Sequence, residues 1–188
     1  VIVFPTETLY GLGADALDSA AVEKVFEIKG RDPANPIPVL VAGRAMLEVL
    51  VAEIPPLAEK LMASFWPGPL TIVLPARKNI PAPLVNTAGG VGARISSNPV
   101  AAALVERFGR PLTATSANPS GQPGARTVAE AKDYFAGQID CFIDGGELKS
   151  KTGSTVVEVR EKGLRIIRIG EVGRAELERA VGKEKILP

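Results

Sequence analysis

Apolar positions along this chain fall into short clusters whose spacing switches between the period of a strand and that of a helix. Residues 1–4 are β-branched or aromatic, which suits a strand, and Pro5 ends the run because it has no N–H for a neighbouring strand. Asp18 and Ser19 can cap a helix that runs to about residue 28, with Ala21, Val22, Val25 and Phe26 as its apolar stripe and Gly30 as its stop. A proline-stiffened loop, 31–36, leads to a strand at 37–41. Helices are predicted at 44–51 and 55–66, the second with prolines in its first turn. Trp66-Pro67-Gly68-Pro69 breaks that helix before a strand at 70–75. The glycine-rich stretch 86–92 reads as a loop feeding a short strand, 92–95. A helix at 100–108 and a strand at 111–115 follow. Thr127 and Glu130 make a capping box for a helix ending near residue 135. A strand at 139–143, a hairpin of 154–160 with 164–169 around Lys162-Gly163, and a helix at 175–181 complete the chain.

Strands and helices alternate for most of this length, with an antiparallel pair near the end. The pattern predicts one α/β domain over residues 1–188, built on a single twisted sheet of mixed parallel and antiparallel strands. Composition refines this picture in a few places. A hydrophobic fraction of 46% and a charged fraction of 23% are those of a water-soluble globular domain. The apolar runs are too short to span a bilayer, and no secretory signal is visible. Since the sequence starts at Val1, residues preceding it are expected. With a net charge of +1, binding of a polyanion or nucleotide has to come from a local basic cluster. The single cysteine, Cys141, excludes an internal disulfide, fits a reducing cytoplasm and, lying in an apolar run, is expected to be buried. There are no histidines. Ser-His-Asp and Cys-His catalysis and His-ligated metals are therefore excluded, and any enzyme chemistry must rest on positioning and fixed charge.

Polar segments stand at the predicted strand and helix ends: Thr6-Glu7-Thr8, residues 29–35, 89–94, 116–124, and Ser154-Thr155 with Arg168 on the partner strand. If they converge, Lys29, Arg31, Arg94 and Arg168 meet several hydroxyls and free backbone N–H groups. Such a set suits a ligand carrying phosphates and a carboxylate, because arginine grips planar anions with two N–H groups. Each segment also has a plain structural reading. Lys29 and Arg31 are cations of the kind favoured at a helix C-terminus, Arg94 suits a structural ion pair, Ser116-Ala117-Asn118 suits a turn, and Glu7 a cap. Neither G-x-x-x-x-G-K-[ST] nor a G-x-G-x-x-G after a strand is present.

Taken in order, PTETLYGLGADA, KGRDPANPI, FWPGPLTIVL, GARISSNP, TSANPSG and GSTVVEV closely resemble the YrdC-like family, whose members include threonylcarbamoyl-AMP synthases. The resemblance runs from Val3 to about Val172 and implies a twisted α/β sheet with a basic concave cleft. It implies formation of threonylcarbamoyl-AMP and pyrophosphate from L-threonine, bicarbonate (or CO₂) and ATP, with Mg²⁺ arriving on the ATP and no metal site in the protein. It also implies cytoplasmic tRNA modification, tRNA-threonylcarbamoyl transferase proteins as receivers of the product, tRNA as a further partner, and the short single-domain form.

By motif position, Thr8, Arg94, Ala114 (through its backbone) and Ser154 match the family's threonine contacts. Arg31, Asn35, Gly90, Ser116, Gly124 and Arg168 match its ATP contacts. Lys29 and Arg31 form its K-x-R pair, to which catalysis is assigned, and Asn118 belongs to its S-x-N motif at the nucleotide. Leu40 stands where relatives often carry a threonine-binding histidine, Ser96-Ser97-Asn98-Pro99 replaces a commoner proline- and acid-containing version, and Gly90 and Gly124 offer backbone alone. Other readings of the same cleft are a non-catalytic protein binding tRNA or double-stranded RNA, and a carbamoyl-adenylate-forming module. The second normally lies in a longer chain with zinc-finger-like cysteines, which are absent here.

Overall fold

The computed structural model describes residues 1–139 and 141–187. Its strands are β1 (Ile2–Phe4), β2 (Gly11–Gly13), β3 (Val39–Leu40), β4 (Leu70–Pro75), β5 (Gly90–Arg94), β6 (Leu112–Thr113), β7 (Thr115–Ser116), β8 (Cys141–Phe142), β9 (Thr155–Arg160) and β10 (Gly163–Arg168). Its helices are α1 (Ser19–Lys29), α2 (Arg44–Leu50), α3 (Pro56–Phe65), α4 (Pro99–Phe108), α5 (Val128–Phe135) and α6 (Arg174–Val181).

The strands form two sheets rather than the single one expected. A four-stranded sheet has the order β7-β2-β1-β8, and a six-stranded sheet the order β10-β9-β4-β5-β3-β6. Both mix parallel and antiparallel pairs: β1 runs antiparallel to β2 and parallel to β8, while β4 runs antiparallel to β5 and parallel to β9. The stretch 111–115, expected as one strand, is divided between the sheets. Thr113 donates its amide to Ala14 O, Ala114 to Pro38 O, and Ala117 to Tyr10 O, so the chain changes partners within a few residues. That change of partners carries Ala114, Thr115 and Ser116 to the space between the sheets.

The helices follow local signals. Asp18 accepts hydrogen bonds from the Ala20 and Ala21 amides at 2.9 and 3.2 Å, and Gly30 takes the left-handed conformation that ends α1. Asn98 caps α4 in the same way. At α5 the expected capping box is half made. Thr127 Oγ1 accepts from the Glu130 amide at 3.1 Å, but the Glu130 carboxylate reaches past the cap to the Arg126 amide at 2.6 Å. Most of the core is one cluster joining β4, β5 and β9 to α1, α3 and α6, through residues such as Val25, Leu61, Ile72, Val91, Val157 and Leu177. Each fully buried Leu or Ile contributes about 1.5–3 kcal/mol relative to exposure.

Two further expectations change. The glycine-rich stretch 86–92 is already strand from Gly90. Cys141 is exposed, not buried: β8 is the edge of the four-stranded sheet, and Cys141 sits on its solvent side while Phe142 packs against the core. The strand expected at 139–143 includes Asp140, which lies outside the described residues. No helix among the described residues is long and apolar enough to cross a membrane.

Candidate active site

A cavity of about 540 Å³ opens between the two sheets. The four-stranded sheet and its β1–β2 loop contribute Thr6, Thr8 and Tyr10, with Thr115 and Ser116 from β7. The six-stranded sheet contributes Thr71, Gly90, Gly92, Arg94 and Arg168, with Ser154 just before β9. The loop after α1 closes a third side with Arg31 and Asn35 to Pro38. A volume of this size suits a small-molecule substrate.

The charge on the walls has one sign. Among the described residues lining the cavity, Arg31, Arg94 and Arg168 are the charged ones, and no carboxylate lines it. Burial lowers the pKa of all three guanidiniums. Arg31 is lowered further by Arg168, while at Arg94 the neighbouring Glu7 works in the opposite direction and Arg168 adds to the lowering. Guanidinium is basic enough to stay charged throughout. Partly desolvated like charges pointing at one space give a strong preference for a bound anion.

Each arginine is held by specific partners. Arg31 Nε donates to Asn35 O at 2.7 Å and Nη2 to Pro36 O at 3.3 Å, which folds the proline-rich loop around its own guanidinium. Arg168 Nη2 donates to Ser154 O at 2.8 Å, and Ser154 Oγ lies 2.9 Å from Thr71 Oγ1. Arg94 Nη1 pairs with Glu7 Oε1 at 2.5 Å, and Ser96 donates its hydroxyl to Glu7 Oε2. Thr8 Oγ1 is 3.0 Å from Thr6 Oγ1, which also lies 2.6 Å from Leu9 O and donates to it.

Of the residues singled out in the sequence, Thr8, Arg31, Asn35, Gly90, Arg94, Ala114, Ser116, Ser154 and Arg168 line this cavity. Lys29, Asn118 and Gly124 stand behind its wall. Lys29 is 2% exposed, and its ammonium donates to Ser116 O at 2.5 Å and Asn118 O at 2.6 Å. Burial, with a contribution from Arg31, pushes its pKa down to about 7. Asn118 closes the same turn by donating to Pro119 O and Gln122 O, each at 2.8 Å. Gly124 is small because a Cβ there would meet Leu9 Cδ1 at 2.6 Å, and Leu9 lines the cavity. These three residues shape the wall that presents Ser116 and Leu9. Leu40 is fully buried among Phe4, Ala101, Val105 and Leu112, away from the cavity.

Three contributors were not singled out as site residues. Thr71 was a lone hydroxyl inside an apolar strand, and Glu158 a lone carboxylate in another. Asn86 opens the glycine-rich loop: its Oδ1 accepts from the Gly90 amide at 2.7 Å, and its Nδ2 donates to the buried Glu158 at 3.2 Å. Isolated polar residues in apolar strands were the available signal, since burying them requires a partner. Among the described residues, no group of His, Cys, Asp or Glu is arranged to hold a metal ion.

Known proteins similar to this chain identify its family. Residues 1–170 match the Sua5/YciO/YrdC family, described as "Telomere recombination". A threonylcarbamoyl-AMP synthase from Pyrococcus abyssi is 42% identical over 188 residues, covering 100% of this chain and 55% of that protein. The solved structure of P. abyssi Sua5 complexed with L-threonine superposes with a TM-score of 0.94 at 42% identity, again over 100% of this chain and 55% of the other. Escherichia coli YciO superposes with a TM-score of 0.83 at 29% identity, over 94% of this chain and 85% of that one. The chain thus spans about half the length of the Pyrococcus relative. It belongs to the Sua5/YciO/YrdC family.

Proposed function

We propose that this chain is an L-threonylcarbamoyladenylate synthase, converting L-threonine, bicarbonate (or CO₂) and ATP into threonylcarbamoyl-AMP and pyrophosphate. The observation that carries this reading is the cavity itself: three guanidiniums, a set of hydroxyls and no carboxylate on its walls. That inventory matches one substrate with a carboxylate and a hydroxyl, and another with a triphosphate. The Pyrococcus relative bears the synthase name, and the related Sua5 structure is described as a complex with L-threonine.

In this reading Arg94 receives the amino acid's carboxylate, with Thr8, Ser154 and the Ala114 backbone beside it. Arg31 and Arg168 face the phosphates, and Asn35, Gly90 and Ser116 hold the nucleotide. The free amine of threonine adds to CO₂ and gives up a proton to give a carbamate; from bicarbonate the same bond formation expels water. A carbamate oxygen then attacks the α-phosphorus, and pyrophosphate leaves with the electron pair of the broken P–O bond. The carbamate is already a competent nucleophile, so no histidine or covalent intermediate is needed. The protein aligns the two reactants and stabilises charge building on the leaving pyrophosphate. Lys29 serves this by fixing the Ser116–Asn118 turn from behind. With no carboxylate lining the cavity, Mg²⁺ entering with ATP would take its ligands from phosphate and water oxygens. The product passes to tRNA-threonylcarbamoyl transferase proteins of the cytoplasm, and tRNA is a further partner.

Product identification tests the reading. Incubation with ATP, Mg²⁺, threonine and carbon-labelled bicarbonate is expected to give a threonylcarbamoyl-AMP that carries the label, detected by mass spectrometry. Label-free AMP or ADP as the sole product contradicts it.

A further inference from the structure

Glu7 has no place in the reaction just described, yet it is ion-paired with Arg94, which lines the cavity. It lies in the loop between β1 and β2 of the four-stranded sheet, with its side chain 13% exposed. One of its oxygens takes the Arg94 Nη1 donor at 2.5 Å, and the other takes the Ser96 hydroxyl. Arg94 ends β5 in the middle of the six-stranded sheet, and its side chain is 6% exposed. The pair therefore links the β1–β2 loop of one sheet to β5 of the other at the edge of the cavity.

We propose, resting on the function given above, that Glu7 is a positioning residue: it sets the orientation in which Arg94 presents its free N–H groups to the carboxylate of the amino-acid substrate. A guanidinium carries five N–H donors in a rigid plane. Among the described residues, Arg94 spends this plane on a single acceptor, Glu7, and Arg94 lines the cavity while Glu7 does not. Both oxygens of Glu7 are engaged, so its carboxylate cannot rotate, and fixing one edge of a planar group fixes the direction of the others. An arginine without this partner has four rotatable bonds through which to turn away, and the same charge then meets the substrate less often in the productive pose. The arrangement also answers the burial of Arg94. A nearly buried cation needs a counter-charge when no substrate is bound, and Glu7 supplies it without entering the space the substrate occupies.

The rival account is an ion pair that only holds the two sheets together. The two differ in what they do to each substrate. Glu7→Gln keeps the size and one acceptor oxygen but removes the charge. The threonine and ATP affinities of the full chain are measured separately by calorimetry, together with the melting temperature and the steady-state parameters. For Glu7→Gln, threonine affinity is expected to fall about tenfold or more and the KM for threonine to rise in step. ATP affinity is expected to stay within about twofold, and kcat at saturating threonine to change little. Ser96→Ala, which frees one Glu7 oxygen and leaves the charge in place, is expected to weaken threonine by a smaller factor in the same direction. It carries the test if Glu7→Gln does not fold, and unchanged threonine affinity in it then overturns the proposal. Equal loss of both substrates indicates a structural role and overturns the proposal. Unchanged or tighter threonine binding in Glu7→Gln overturns it too, because the carboxylate would then be only a counter-charge that competes with the substrate. Wild-type protein that binds ATP but no threonine defeats the synthase reading itself, and this proposal with it.

Discussion

At the scale of single residues, the arginines and Lys29 carry different work and should fail differently. Among the described residues Arg31 and Arg168 have no acidic partner, and both line the cavity, so on the proposed function truncating either to alanine removes charge-assisted hydrogen bonds from a phosphate. Such bonds contribute about 1.5–3 kcal/mol, so ATP affinity is expected to fall by about tenfold or more in each variant, with little loss of stability. Titration of ATP into each variant checks this. Lys29 works through the wall. Its pKa of about 7 lies below the 10.5 of a free lysine. Between these values the unfolded chain binds the proton and the folded chain does not, so Lys29 makes stability rise with pH across that window and leaves it flat outside. Lys29→Met is expected to abolish that rise and to cut turnover strongly by releasing the Ser116 and Asn118 carbonyls. Denaturant midpoints of both proteins near the two ends of the window measure it, and an unchanged slope counts against the assignment.

At the scale of elements, local chemistry made most of the fold legible in the sequence. Asp18, Gly30 and Thr127 sit where helix ends need them, and the alternation of β9 and β10 around Gly163 marks a hairpin without help from the rest of the chain. What stayed hidden depends on distant partners. Nothing between Pro111 and Thr115 marks the point where the chain leaves one sheet for the other, because the switch is set by Ala14, Pro38 and Tyr10. Cys141 looked buried because apolar neighbours indicate a strand but not whether that strand is an edge. The site divides in the same way. The converging arginines were legible as residue types at strand ends, whereas the pairing of Glu7 with Arg94, separated by 87 positions, was not. One element prediction tests how the site is braced. A Cβ at Gly170 would collide with the backbone of Gly153 and Ser154, so the return of β10 is packed directly against a predicted threonine contact. Gly170→Ala is expected to cost about 1–3 kcal/mol, as overpacking does, and to weaken threonine binding by displacing Ser154. Thermal melts and threonine titrations read the two effects, and a variant with wild-type values in both removes that brace from the account.

At the scale of the whole molecule, a chain of net charge +1 gathers three arginines around one cavity, and of these Arg94 is the one paired with a carboxylate among the described residues. Two sheets joined at Ala114 enclose the cavity, and three arginines from well-separated parts of the chain reach it. On the proposed function, oriented cations and hydroxyls take the place of histidine in adenylate transfer, and the substrates supply the nucleophile and the leaving group. On that function the cavity couples threonine, and not amino acids in general, to cleavage of ATP. Pyrophosphate release is the direct measure, taken with ATP, Mg²⁺, bicarbonate and each of threonine, serine, valine and alanine in turn. Release that requires threonine, falls sharply with valine and alanine, and disappears in Arg94→Ala is the result the account predicts. Pyrophosphate formed equally with every amino acid, or with none, would contradict it.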